Sequence, residues 1–136
     1  MQGVIRTNVA PMLAEPAAGS EQVSQALLGE MVRRVAEHPP YTLVQTPDGY
    51  EGWVRGDSVE TLPDGAYYPA RGLARVVRSL LAPVVARPRR GAERLALLTP
   101  GARVQMVDEG PAAPGWLCVR LPCGALGYVR ARDLLP

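Results

Sequence analysis

Phenylalanine and lysine are both missing from this chain of 136 residues, histidine occurs once, and cysteine occurs twice. Each shortage excludes something. Cys118 and Cys123 with the distant His38 cannot complete a zinc site, and one short hairpin bridge, which needs a narrow Cβ geometry, is the most disulfide chemistry they allow. No apolar run is long enough to span a bilayer. The N-terminus, MQGVIRTNVAP, lacks the basic-then-apolar profile of a secretory signal, so the chain either stays inside the cell or is a mature or trimmed form that belongs to the cell envelope. Phosphate loops, paired-carboxylate constellations and metal-ligand spacings are absent as well. No cofactor and no metal are expected.

What is abundant is glycine and proline, 14 of each, punctuating short apolar runs in the manner of turns and strands. The chain also repeats itself. VAPMLAEP at Val9 returns as LAPVVARP at Leu81, and Gly29 returns as Gly101, both at an offset of 72 residues. YTLV at Tyr41 returns as WLCV at Trp116, and GYEGWVRGDSV at Gly49 as GALGYVRARDLL at Gly124, at an offset of 75. The second copy therefore carries a three-residue insertion near EGPAAPG, placed in a surface loop, where added length costs little. This gives two units, residues 1–62 and 73–136, joined by a Pro/Gly-rich linker over 63–72 that Tyr67 and Tyr68 can anchor to a barrel.

Within each unit VRRV, YTLVQT, GYEGWVR and SVETL read as short strands. TPDGY is a hairpin signal, matched by LPCGAL in the second copy. Alternation puts Tyr50, Gly52 and Val54 on one face and Glu51, Trp53 and Arg55 on the other. Gly52 inside the strand marks a close approach of another backbone. Val23 and Leu27 in EQVSQALLG stand four apart, as on a helix, in a run too short to decide between helix and strand. About five short strands per unit cannot form a large sandwich but can form a small, strongly bent barrel. Asp57 and Asp133 are expected to cap short turns, Cys118 to lie in or near the core, Cys123 to sit in a hairpin turn, and His38 to lie in a loop. Arg34 takes the strand face that Met106 takes in the second copy, so it should reach a carboxylate or snorkel to solvent.

The opening AP–EP, the QALLGE stretch, the aromatic-Leu-Val strand and the closing DGYEGWV resemble bacterial SH3-like domains, above all the paired domains that precede the catalytic domain of NlpC-type cell-wall endopeptidases. The resemblance implies an all-β chain of two small SH3-like barrels in tandem that recognises or positions peptidoglycan. It also implies a catalytic domain with a Cys after an Asp at a helix start and a His, a set that needs the imidazole beside the thiolate. Here Cys123 follows Pro122, and the only histidine lies in the other copy. The chain thus reads as non-catalytic, and as a fragment, a truncated remnant of a longer peptidase or a free-standing module. Proline-rich ligands of eukaryotic SH3 domains are disfavoured, because Ser58 and Asp133 stand where the groove tyrosine would be.

Charge separates the copies. Four arginines and nine acids give −5 through Gly65, and eleven arginines and four acids give +7 from Ala66 onward. Either the halves dock on each other, or both are solvated surfaces, or the basic half meets an anionic polymer. The candidate ligand residues are Tyr41, Tyr50, Trp53 and Arg55 in the first copy, Trp116 and Tyr128 in the second, and Arg87, Arg89 and Arg90 of the ARPRRGAER loop, whose guanidinium groups suit carboxylate or phosphate. Peptidoglycan or its stem peptides are the expected partner, with a catalytic domain or partner protein beside them. Nucleic acid is disfavoured because aromatics are not interleaved with the arginines. The rival reading is a protein-interaction or dimerisation module.

Overall fold

In the computed structural model, which describes residues 1–108 and 113–136, the chain is all-β. Thirteen strands among the described residues form two sheets. The first contains β1 (Gln2–Ile5), β2 (Val9–Leu13), β3 (Gln22–Leu27), β4 (Met31–His38), β5 (Tyr41–Gln45), β6 (Glu51–Arg55) and β7 (Val59–Thr61). The second contains β8 (Ala74–Val76), β9 (Ala82–Val85), β10 (Arg94–Leu98), β11 (Arg103–Met106), β12 (Trp116–Arg120) and β13 (Leu126–Arg130). Their spatial orders are β3-β2-β6-β5-β4-β1-β7 and β10-β9-β13-β12-β11-β8. Strand for strand the first six positions correspond. The seventh is represented in the second sheet by an isolated bridge between Val77 and Leu134, the counterparts of the paired Ile5 and Val59.

The register explains the core. In β5 and β6, Thr42 opposes Val54 and Val44 opposes Gly52, and these four residues face inward. In β12 and β13, Leu117 opposes Val129 and Val119 opposes Gly127. A Cβ on Gly52 would fall 2.6 Å from Met12 Cβ, so the absent side chain lets β2 cross β6. Around it Ile5, Met12, Val32, Val44 and Val54 form the first core. Tyr50, expected on the Gly52 face, instead precedes β6 and stands exposed at the hairpin tip, because the turn that pairs Thr46 N–H with the Tyr50 carbonyl breaks the alternation there. The second hairpin closes identically, Leu121 N–H donating to the Ala125 carbonyl.

Four further expectations are resolved. EQVSQALLG is strand rather than helix: β3 buries Ala26 opposite Ala10 and leaves Val23 exposed, so the four-residue apolar spacing has no buried face to serve. His38 is not in a loop but is the last residue of β4, opposite Tyr41. Neither Asp57 nor Asp133 caps a turn. Both lie inside single 3-10 turns whose preceding residues, Arg55 and Arg130, are extended, and no side chain caps either turn. Asp133 is buried and accepts from Ser79 Oγ at 2.6 Å. The expected insertion lies partly outside the described residues.

The two barrels meet through equivalent turns. Arg103 N–H donates to the Leu28 carbonyl at 2.9 Å, and Thr99 N–H donates to Asn8 Oδ1 at 3.0 Å. Leu28 itself is buried in the second core with Val77, Leu98, Val104 and Val129. Gly29, with φ of +87°, is pressed so closely on the Arg103 carbonyl that no Cβ fits between them. Tyr68 ties the intervening segment to the second sheet: its buried hydroxyl donates to the Arg120 carbonyl and accepts from Gln105 N–H at 3.3 Å. Burial pushes its phenol well above the ordinary tyrosine range. Tyr67 is exposed under the Arg71 guanidinium.

Candidate functional site

The alternation that sends Val54 and Val129 into the cores sets the intervening residues on the opposite face of each barrel, where Arg55 is exposed and Trp53, Trp116 and Arg130 are half-buried, while Tyr41, Cys118 and Tyr128, two of them predicted ligand residues, are buried. On the first barrel this outer face carries Tyr41 opposite Arg55 and Leu43 opposite Trp53. The Arg55 guanidinium stands 5.8 Å from the Tyr41 ring centre and its Nε 3.9 Å from Asp57, while His38 meets Trp53 edge-on at 6.3 Å between ring centres. Trp53 is partly buried between Leu13 and Leu43, its neighbours across the strands. His38 was not among the predicted ligand residues; what would have found it is its pairing across the β4–β5 hairpin, which brings it over the strand that carries Trp53.

The second barrel repeats the pattern. Trp116 opposes Arg130, whose guanidinium lies 4.7 Å from the indole centre, and Cys118 opposes Tyr128. Cation–π contacts of this kind hold both the ring and the guanidinium in place while leaving N–H donors of the arginine for a ligand. Val85, Cys118 and Tyr128 make a small buried cluster on this face, against which Trp116 and Ala92 pack. Partial burial and the neighbouring Cys118 thiol raise the Tyr128 phenol above its usual value. Cys123 is exposed in the hairpin turn, as expected, and no disulfide links the two cysteines.

Over this cluster passes the arginine loop between β9 and β10. It borders two concavities that share Arg89. One, of about 530 Å³, is walled by Arg87, Pro88 and Tyr128. The other, of about 290 Å³, is walled by Arg89, Arg90, Trp116, Arg130 and Arg132, with Leu81 and Pro83 on its apolar side. Arg87, Arg89 and Arg90 are exposed, and none of them makes an ion pair with the acidic first barrel among the described residues. The structure thus brings together Tyr41, Trp53 and Arg55 on one barrel and Trp116, Tyr128, Arg87, Arg89 and Arg90 on the other, and leaves Tyr50 apart at its hairpin tip. Arg130, Arg132 and Leu81 join the second group without having been predicted. Arg130 was the legible one, since it repeats Arg55 at the same offset.

Among the described residues no group of three or more His, Cys, Asp or Glu gathers as a metal would require. Cys118 lies in the second sheet and Cys123 in the hairpin turn between two of its strands, while the imidazole belongs to the first sheet.

Comparison with known proteins bears on these surfaces. Residues 12–59 match the family described as the bacterial dipeptidyl-peptidase SH3 domain. A search of curated proteins returned no match. Among solved structures, an NlpC/P60 family protein from Bacillus cereus ATCC 10987 superposes with a TM-score of 0.79 at 16% identity, over 99% of this chain and 56% of that one. NlpC2 from Trichomonas vaginalis aligns over 99% of this chain and 47% of that one at 14% identity, with a TM-score of only 0.40. The chain therefore spans about half the length of these structures. Residues 12–59 carry a bacterial SH3 signature, and the chain as a whole has the fold of the matching part of an NlpC/P60 family protein, two small β-barrels in succession.

Proposed function

We propose that the chain is a non-catalytic module that recognises peptidoglycan and positions a cell-wall hydrolase upon it. In this reading residues 1–62 and 73–136 are the two recognition units and 63–72 the segment between them. The observation that carries it is an arginine laid against an aromatic ring at one register on both barrels, exposed Arg55 with the largely buried Tyr41 and Arg130 with the half-buried Trp116. An aromatic face stacks on a sugar or an aliphatic stem, and a guanidinium fixed beside it takes a carboxylate in a two-pronged contact. The half-buried Trp53 extends the first surface, and Tyr128 backs the second from within its buried cluster. The likeness to an NlpC/P60 family protein supports the link to a hydrolase. The non-catalytic part rests on the placement of the thiols, one buried under Tyr128 and one exposed in a turn, on the barrel that does not carry His38.

Co-sedimentation with isolated peptidoglycan sacculi tests the reading. Retention should persist at high salt and fall severalfold on Trp53→Ala, a change that removes a partly buried ring from the outer face. Retention that disappears with salt reduces the claim to a basic patch on an anionic surface. No retention at low salt sinks it and leaves the interaction-module reading.

A further inference from the structure

The repeat supplies an internal control for the groove on the second barrel. At the offsets that relate the copies, Arg89, Arg90 and Arg132 correspond to Ala17, Ala18 and Asp57. Three cations thus stand where the first barrel has two methyl groups and a carboxylate, on an otherwise shared framework. All three are exposed, and no acid pairs with them among the described residues. The one carboxylate in the wall, Asp133, is buried and engaged by Ser79. Arg130 is laid over Trp116 and completes a cationic rim. Apolar residues share the lining: Leu81, which keeps 59% of its surface exposed, Pro83 and the Trp116 ring under Arg130. A volume of about 290 Å³ is at the small end of ligand sites, room for one or two residues rather than a strand of polymer.

We propose that this groove binds a short acidic peptide, its carboxylate held by Arg89, Arg90 and Arg132 and its aliphatic part resting on Leu81, Pro83 and Trp116. Planar guanidinium groups match a carboxylate in paired hydrogen bonds. A groove lined by both apolar side chains and guanidinium groups suits an aliphatic acid better than a phosphodiester chain, which would need further cations along its length. The wall-recognition reading bears only on where such a peptide comes from.

The chain has two tryptophans, so Trp53→Phe leaves Trp116 as the only indole and makes its fluorescence a direct report on the groove. Titration of that variant with Ala-Glu-Ala should give a saturable change. The neutral amide Ala-Gln-Ala-NH2 should bind about tenfold more weakly or worse, because the charge-assisted contacts are lost. Arg132→Asp, which installs the residue of the first barrel at an exposed position, should abolish the response while circular dichroism stays unchanged. No saturable response to the acidic peptide, or an equal one to the amide, overturns the proposal. So does displacement of the peptide by equal concentrations of inorganic phosphate or an oligothymidylate, which would make the groove a phosphate site. Peptide binding without sacculus retention would leave the groove and remove the wall reading; retention without peptide binding would do the reverse.

Discussion

Glu37 joins three side chains of the first barrel. Its carboxylate accepts from Thr42 Oγ1 at 2.8 Å and from Arg34 Nη2 at 3.0 Å, and Arg34 also donates to Thr61. Thr42 is almost wholly buried, so its hydroxyl needs that acceptor. The Thr42 hydrogen bond, reinforced by Arg34 and opposed by partial desolvation, lowers the Glu37 pKa below its ordinary value of 4.5. A depressed folded-state pKa means that the ionised carboxylate stabilises the fold above the unfolded value, and that this contribution is lost as pH falls through the folded one. Glu37→Gln should therefore destabilise the protein near neutral pH, and the gap to wild type, full above the unfolded value, should close as pH falls below it through the depressed folded value in urea denaturation. Glu37 is half exposed, so the gap should be about 0.2–1 kcal/mol. A gap that widens toward acid would contradict the assignment. That Arg34 would need a carboxylate or a route to solvent was legible from the comparison of copies, because Met106 fills the same place with an apolar chain. Which carboxylate was not, since Glu37 reaches Arg34 only through the register shift that β4 makes between Arg34 and Ala36.

Strands and hairpins were legible because turn chemistry and alternation are local. Gly52 was read as a close approach on its position alone, and the crossing of β2 supplies the neighbour. The two equivalent glycines are not equally constrained. A Cβ at Gly52 meets Met12 Cβ at 2.6 Å and Met12 backbone at 3.3 Å, whereas one at Gly127 meets Val84 Cγ1 at 2.5 Å, with Leu95 Cδ1 and the Val85 carbonyl at 3.3 Å. Val84 is buried and stiff at χ1, but a methyl can still shift by a small side-chain adjustment, whereas Met12 Cβ moves only with its backbone. Gly52→Ala should cost about 1–3 kcal/mol and Gly127→Ala distinctly less, both read from denaturation midpoints; equal costs would mean that β2 moves as freely as a side chain. What local patterning left ambiguous was β3, where Val23 and Leu27 suggested a helical turn. The deciding contact is a long-range one, Ala26 beside Ala10 in the neighbouring strand. The groove was only half legible for the same reason: Arg87, Arg89 and Arg90 announce themselves as a run, but Arg132 and Leu81 join them only when β9 and β13 are laid side by side.

At the scale of the whole molecule the barrels are unequal partners. The first core is built from residues 5–59 of its own unit, while the second includes Leu28, delivered from the first. With the Leu28–Arg103 and Asn8–Thr99 hydrogen bonds, this couples their stabilities. The chain should unfold in one transition followed alike by Trp53 and Trp116 fluorescence, and Leu28→Ala should cost about 2–5 kcal/mol through a cavity in the second barrel. Two separated transitions in the wild-type chain would show the docking to be weak. Gly29, sealed against the Arg103 carbonyl, leaves no slack for a looser arrangement. Because Leu28 leaves the ribosome long before Val77 or Val129, the first barrel can close while the second is still being made, and the nascent second half meets a finished surface that already offers it one core side chain. Synthesis in the opposite direction would have no such template, so the order in which the two copies are written is itself part of how the second one folds.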